Sequence, residues 1–290
     1  MTVKGIVLAG GSGSRLYPMS LATSKQLMPV YDKPMIYYPI STLMLSGIRE
    51  ILIITTEDHQ SDFQKLLGSG EKWGVSFTYM VQPEPKGIAE AFLLGESFID
   101  GEACALILGD NLFYGGGLGE SLRARTSSHE GALIFCQEVQ DPERYGVVEI
   151  ATNGDVVSIE EKPAKAKSNL AVTGLYFFDS QVVNKAKTLK PSSRGELEIS
   201  DLNNLYLNDG KLEAEVLQRG AVWLDTGTVD SLNSAAEFVR VIQERQGFKI
   251  GAPEEVAWRM GYISSEQLEQ AANSLPASDY KDYLLSLLSR

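Results

Sequence analysis

The apolar run Ile6-Val7-Leu8-Ala9 passes directly into Gly10-Gly11-Ser12-Gly13-Ser14-Arg15-Leu16. Glycines let a backbone take dihedrals that other residues avoid and approach a ligand closely, so successive N–H groups can line a concave anion site. Arg15 adds a planar cation suited to phosphate oxygens. A plain strand-to-helix turn would also explain the glycines alone, but with the arginine after them the strand end predicts a nucleotide-phosphate loop. A Walker A loop would need Gly, four residues, then Gly-Lys-Ser/Thr, and no lysine follows these glycines. A dinucleotide fingerprint would need a third glycine where Leu16 stands.

Apolar runs at 4–9, 50–55, 76–81, 104–108 and 131–137 alternate with helical patterns, the rhythm of a mostly parallel sheet covered by helices. Ile36, Ile40, Leu43, Met44 and Ile48 recur at helical spacing with Gly47 near the end, predicting a core-facing helix. Another helix is expected over 88–98. From 145 onward shorter strands are expected at 145–150, 156–161 and 171–178, forming a meander or antiparallel lobe over the sheet. Helices at 180–187 and 199–209, strands at 213–217 and 221–224, and an amphipathic helix over 230–245 follow. The tail, 253–290, reads as three short helices broken near Pro276.

The predicted fold class is therefore α/β, a Rossmann-like, mostly parallel mixed sheet flanked by helices, with a lobe and a C-terminal helical tail. We expect one domain over 1–245, divided into a first half of about 1–140 and a lobe half of about 141–245, with a helical extension over 246–290.

A net charge of −12 weighs against nucleic acid as a partner, since binding a phosphate backbone needs a basic face. No apolar stretch reaches the roughly 20 residues of a membrane span. The N-terminus enters a strand without a signal segment, so the expected location is cytoplasmic. Cys104 and Cys136 each sit inside an apolar run, as small core residues of a reducing compartment do. His59 and His129 lie far apart, with no metal-ligand spacing around them. An anionic ligand must then be held by locally placed cations.

Three places combine glycine, acid and cation at strand ends. The opening loop with Arg15 is followed by Ser24-Lys25-Gln26-Leu27-Met28-Pro29. An apolar strand runs into Gly109-Asp110-Asn111, and another into Asp225-Thr226-Gly227 after Trp223. In a parallel α/β sheet ligands lie beyond the carboxyl ends of the strands, so Asp110 and the opening loop should share one crevice. Two carboxylates converging on phosphates repel unless a cation lies between them, and Mg2+ suits one or two carboxylates with phosphate oxygens and water. Each aspartate alone is as well explained as a helix cap. Gln82-Pro83-Glu84-Pro85-Lys86-Gly87 is a stiff turn after a strand, placed to read a base edge. Glu161 could accept from sugar hydroxyls, and Lys162 and Arg194 could hold a second phosphate; a solvated strand end explains Glu160-Glu161-Lys162-Pro163 equally well. Tyr145-Gly146 permits a close backbone approach or merely starts a strand.

Taken together, 10–18, 24–29, Gly109-Asp110-Asn111, Glu161-Lys162-Pro163, Arg194-Gly195-Glu196-Leu197-Glu198-Ile199 and 223–228 resemble the sugar nucleotidylyltransferases. The likeness is strongest to the glucose-1-phosphate thymidylyltransferase family and runs nearly end to end. It implies a homotetrameric, Mg2+-dependent enzyme that joins dTTP to glucose 1-phosphate and releases pyrophosphate, supplying deoxysugars for surface polysaccharide. By position, the resemblance gives Gly10, Gly11, Ser12 and Gly13 to the triphosphate, Arg15 to the leaving pyrophosphate and Lys25 to the α-phosphate. Asp110 and Asp225 would hold the metal. Gln82, the Gly87 backbone and the side of Leu8 would meet thymine, with Gln26 also in the nucleotide site. Tyr145, Gly146, Glu161, Lys162, Val172, Arg194 and Trp223 would surround the sugar phosphate and make the lobe sugar-binding. A second site for a dTDP-sugar feedback inhibitor, dTDP-rhamnose, would be lined by Tyr114, Gly115, Glu120, Arg219, Gly220, Glu255 and Arg259; locally, Gln218-Arg219-Gly220 could be an ordinary hairpin turn.

Uridylyl-, cytidylyl- and adenylyltransferases share the opening loop. A site without a partner for the 2′ position discriminates poorly against an added hydroxyl, so some UTP use is expected. A non-catalytic, nucleotide-sugar-sensing subunit would have lost Arg15, Lys25 or an aspartate, and all are kept. An NAD-dependent oxidoreductase is disfavoured by the broken glycine pattern, and a glycosyltransferase by the lack of an Asp-x-Asp motif at 109–111.

Overall fold

The computed structural model describes residues 3–11, 13–126 and 130–289. Ser12, expected in the phosphate loop, and His129 lie outside the described residues. β1 (Val3–Ala9) leads through the opening turn to a small hairpin, β2 (Pro29–Val30) and β3 (Lys33–Pro34), and then α1 (Tyr37–Leu45). β4 (Glu50–Thr55), α2 (Gln60–Leu67), β5 (Ser76–Val81), α3 (Glu90–Leu94), α4 (Glu96–Ile99) and β6 (Ala103–Leu108) follow. Next come β7 (Asn111–Tyr114), α5 (Leu118–Thr126) and β8 (Ala132–Glu138). The second half holds β9 (Gly146–Ile150), β10 (Val156–Glu161), β11 (Leu170–Phe178), α6 (Val182–Ala186), α7 (Ile199–Asn208), β12 (Leu212–Val216), β13 (Val222–Asp225) and α8 (Val229–Gln246). The tail forms α9 (Pro253–Arg259), α10 (Ser265–Ser274) and α11 (Asp279–Leu287).

Among the described residues the main sheet has nine strands, in the order β10-β9-β11-β6-β1-β4-β5, with β8 and β12 branching from β11. β6, β1, β4 and β5 are parallel, so all four end at one edge, where Gly109, Gly10 and Gln82 follow. Their apolar runs are continuous because both faces are covered: Val7, Ile51, Ile53 and Ile107 enter one core, while Ile6, Leu52, Ile54 and Leu106 enter the other. α1, α9, α10 and α11 close the first core, and α3, α6 and α7 the second. Each such fully buried aliphatic contributes about 1.5–3 kcal/mol relative to exposure. A third core packs Leu16, Met28 and Val30 under Leu232, Ala235 and Val239, so α8 clamps the segment after the opening turn.

β11 organises the lobe. Leu175–Phe178 pair antiparallel with β6, Leu175 lying opposite Ile107, one residue short of the end of β6. The rest of β11 therefore runs past the carboxyl end of β6, where Ala171 meets Val147 of β9. β9 and β10 thus stand over the ligand edge of the parallel strands, which is the lobe read from the sequence. β13 pairs with β7 and sets Asp225 opposite Asn111.

The helix expected over 88–98 is two helices parted at Gly95. A Cβ at that glycine would lie 3.0 Å from the Ala91 carbonyl and 3.1 Å from Leu52, so the chain turns where it presses on β4. β7, α2 and α5 were not anticipated: β7 is four residues long, and the two helices bury few side chains. Cys104 and Cys136 are free and buried, and burial pushes both thiols well above their usual range. No helix among the described residues is long and apolar enough to cross a membrane.

Candidate functional site

Gly13 takes φ +61°, a left-handed conformation that turns the loop, and its carbonyl accepts a hydrogen bond from Ser20 Oγ at 2.9 Å. Gly10 faces Gln82, whose Oε1 would lie 2.6 Å from a Cβ placed on the glycine. Gln26 is buried beneath Gly109, and its Oε1 accepts from Ser24 Oγ at 2.8 Å. Lys25 is buried as well, and its ammonium pairs with Asp110 Oδ2. Burying a lysine is costly unless an opposite charge pairs with it, and Asp110 supplies that partner.

Arg15, Asp110, Asp225, Tyr145, Gly146, Glu161, Lys162, Val172 and Trp223 all line one cavity of about 240 Å³. Arg15 and Asp225 both stand over Gly227, where a Cβ would lie 3.3 Å from Arg15 Nη2 and 3.0 Å from Asp225 Oδ2. The Tyr145 hydroxyl donates to Asp225 Oδ1 at 3.2 Å, and Arg144 Nη2 is 3.6 Å from Oδ2. Burial, then the Asp225 charge, pushes the Tyr145 hydroxyl up to about 12, so it remains a donor at neutral pH. The turn after Asp225 is tied back to the backbone of the other aspartate, because Thr226 Oγ1 and N donate to the Asp110 carbonyl at 2.8 and 3.2 Å.

On the lobe side, Glu161 Oε2 accepts from Ser200 Oγ at 2.5 Å, and Gly146 leaves space beside it: a Cβ would lie 3.3 Å from that oxygen. Lys162 has φ +42°, a conformation that costs a non-glycine residue about 1–2 kcal/mol and that points to a constrained position. Arg194 is the expected residue that the structure does not bring into the cavity lining. Its guanidinium is held by Glu198, with Nη2 to Oε2 at 2.7 Å, and lies 3.9 Å from Glu161 Oε1.

Two participants escaped the sequence reading. Asn111 is buried, donates from Nδ2 to Asp110 Oδ1 at 2.8 Å, and accepts from the Gly174 N–H at 3.2 Å and from the Trp223 indole N–H. Its place directly after Asp110 was the available signal. Arg144 precedes Tyr145-Gly146, and nothing in its neighbours announces Asp225 as a partner.

A separate cavity of about 350 Å³ is lined by Tyr114, Gly115, Glu120, Glu255 and Arg259, together with Arg123, Phe248 and Lys249. Glu255 is buried, receives the Tyr283 hydroxyl, and pairs with Arg259 at 2.8 Å. Arg219 and Gly220 do not line it, although the next residue, Ala221, sits against Gly115.

The family model for nucleotidyl transferases matches residues 4–241. A glucose-1-phosphate thymidylyltransferase from Neisseria meningitidis is 54% identical over 288 residues, covering 99% of this chain and 100% of its own. The chain belongs to the glucose-1-phosphate thymidylyltransferase family of nucleotidyl transferases. A structure from Bacillus anthracis assigned to that family superposes with a TM-score of 0.77 at 46% identity, over 82% of this chain and 96% of its own. A UDP-glucose pyrophosphorylase complexed with UDP-glucose gives 0.73 at 25% identity, over 83% and 100%. The fold expected from the apolar runs is thus the fold of its nucleotidyltransferase neighbours. The enzyme class stated for the sequence is that of its relatives.

Proposed function

We propose that the chain transfers a deoxythymidylyl group from dTTP to glucose 1-phosphate, giving dTDP-glucose and pyrophosphate. The observation that carries this reading is the convergence, in one cavity, of Arg15, Asp110 and Asp225 with Tyr145, Gly146, Glu161 and Lys162, while Lys25 grips Asp110 from behind. Names of relatives that match the whole chain supply the substrates.

The attacking oxygen of a sugar phosphate is already an anion, so no general base is required. It would form a bond to the α-phosphorus as the bond to the bridging oxygen breaks and pyrophosphate leaves. Repulsion between two anionic substrates is the obstacle. Arg15 on the triphosphate side and Lys162 on the sugar-phosphate side neutralise it, and a cavity that fixes both substrates aligns the displacement. Lys25 exchanges one partner for another, moving from Asp110 towards the α-phosphate.

The donor set fits Mg2+. Asp110 and Asp225 face the same cavity, and among the described residues no group of three or more His, Cys, Asp or Glu could hold a metal by itself. Two carboxylates with phosphate oxygens and water are the habit of Mg2+, whereas structural zinc takes a full protein shell. Asp110 and Asp225 would hold the ion, and it would withdraw charge from the phosphates. Asn111 and Tyr145, by hydrogen-bonding the two carboxylates, orient them.

The lining of the second cavity supports a dTDP-sugar effector site, with dTDP-rhamnose as the inhibitor and the Arg259 and Arg123 cations facing its diphosphate. The reading includes a homotetramer with this site at a subunit contact, which rests on the family likeness, and work in the cytoplasm.

The test is pyrophosphate release from each of four nucleoside triphosphates with glucose 1-phosphate and Mg2+. Release with dTTP, smaller release with UTP, and near-complete loss in Asp110→Asn are expected. Full-speed turnover by Asp110→Asn would overturn the role given to the carboxylates.

A further inference from the structure

A glutamine amide can offer a ligand either its oxygen or its nitrogen, and the side chain alone does not decide which. Gln82 closes β5 at the ligand edge, with its backbone N–H bonded to the Thr55 carbonyl at 2.8 Å and its side chain buried. Its Nε2 lies 2.7 Å from Glu90 Oε2 and 3.4 Å from the Gly87 carbonyl oxygen. Carboxylate and carbonyl oxygens only accept, so the nitrogen must face both of them. Oε1 is left facing Gly10, in the opening loop.

Glu90 is itself held in place. The turn that leads to it is pinned from the lobe side: the Leu197 N–H donates to the Lys86 carbonyl at 2.7 Å, and the Ala89 N–H to the Leu197 carbonyl at 3.2 Å. Gly87, at φ +101°, lies so close to that segment that a Cβ would be 2.4 Å from the Leu197 carbonyl oxygen.

We propose that Glu90 is a positioning residue that locks the Gln82 amide with its acceptor towards the base, making the site selective for pyrimidines with an N3–H donor. Thymine and uracil carry that hydrogen. Cytosine presents a bare N3 at the same place, so two acceptors would meet. Glu90 touches no substrate atom in this account; it acts by forbidding the flipped amide. The proposal rests on the reading above that the nucleotide base lies against Gln82.

Glu90→Gln tests it, because an amide at 90 can donate as well as accept and so permits either orientation of Gln82. The measurement is kcat/KM for dTTP and for dCTP with glucose 1-phosphate, together with Kd for each nucleotide from calorimetry. The expected result is a fall of about tenfold or more in the dTTP-to-dCTP ratio, the preference carried by one hydrogen bond to a charged group. The ratio of Kd values should follow. A merely structural role would lower both nucleotides alike and leave the ratio where it was, and that outcome overturns the proposal. Glu90→Ala gives a second reading of the same ratio, with a thermal melt to establish that the variant is folded. Wild-type protein that turns over dTTP and dCTP equally would sink the lock while leaving the transfer reaction intact. Wild-type protein inactive with every triphosphate would instead remove the underlying reading.

Discussion

Replacing Asn111 by alanine should unsettle both the fold and the reaction, and the structure sets the size of the effect. The side chain is 3% exposed and its Oδ1 serves two donors, the Gly174 N–H at 3.2 Å and the Trp223 indole N–H. Alanine leaves both donors buried without an acceptor, at about 1–3 kcal/mol each. Gly174 lies next to Leu175, the last residue of β11 paired with β6, so the void opens where the lobe meets the parallel strands. A loss of about 2–5 kcal/mol is expected, a large share of the stability of an ordinary domain. Urea unfolding followed by tryptophan fluorescence reads it, and Trp223 itself reports on the site. Asn111→Asp keeps an acceptor for both donors and should lose less stability. It also places a second carboxylate beside Asp110, so pyrophosphate release should fall further than stability does. An Asn111→Ala protein within about 0.5 kcal/mol of wild type, releasing pyrophosphate at the wild-type rate, would refute the reasoning.

Lys33 is buried in an ion pair with Asp32, and burial lowers its pKa to about 8, against 10.5 for the free side chain. The folded form then binds fewer protons than the unfolded form between those values, so wild-type stability should rise relative to Lys33→Met as pH goes from 8 to 10. Parallel stability curves for the two proteins would contradict this. Arg259→Ala removes the cation paired with Glu255 in the second cavity. The dTDP-rhamnose concentration for half-inhibition should rise by about tenfold, as for one lost charge-assisted contact; an unchanged value would take Arg259 out of that site.

The parallel half of the sheet is legible in the sequence because strands buried on both faces write unbroken apolar runs, as Glu50–Thr55 and Ala103–Leu108 do. β7 leaves no such mark. It is four residues long and exists by pairing with β13, whose Leu224 lies opposite Leu112. Asp110 and Asp225 were readable as strand ends carrying acids. That Asn111 would hold Asp110, Gly174 and Trp223 together was not, since two of those partners come from distant segments brought in by the register of β11 and β13. Arg194 shows the converse: its segment reads as a phosphate holder, but Glu198, four residues on at the start of α7, takes the guanidinium.

β11 bears on how the protein can move. One strand is at once a neighbour of β6, of β8 and of β9. β6, which leads into Asp110, and β9 of the lobe are therefore joined through one strand, whose ladder with β8 shifts register between Val172 and Tyr176 and which meets β9 in the single pair Ala171 with Val147. Crystals of the protein's bound and free forms should superpose closely over β6, β1, β4 and β5 and differ first where β11 meets β9.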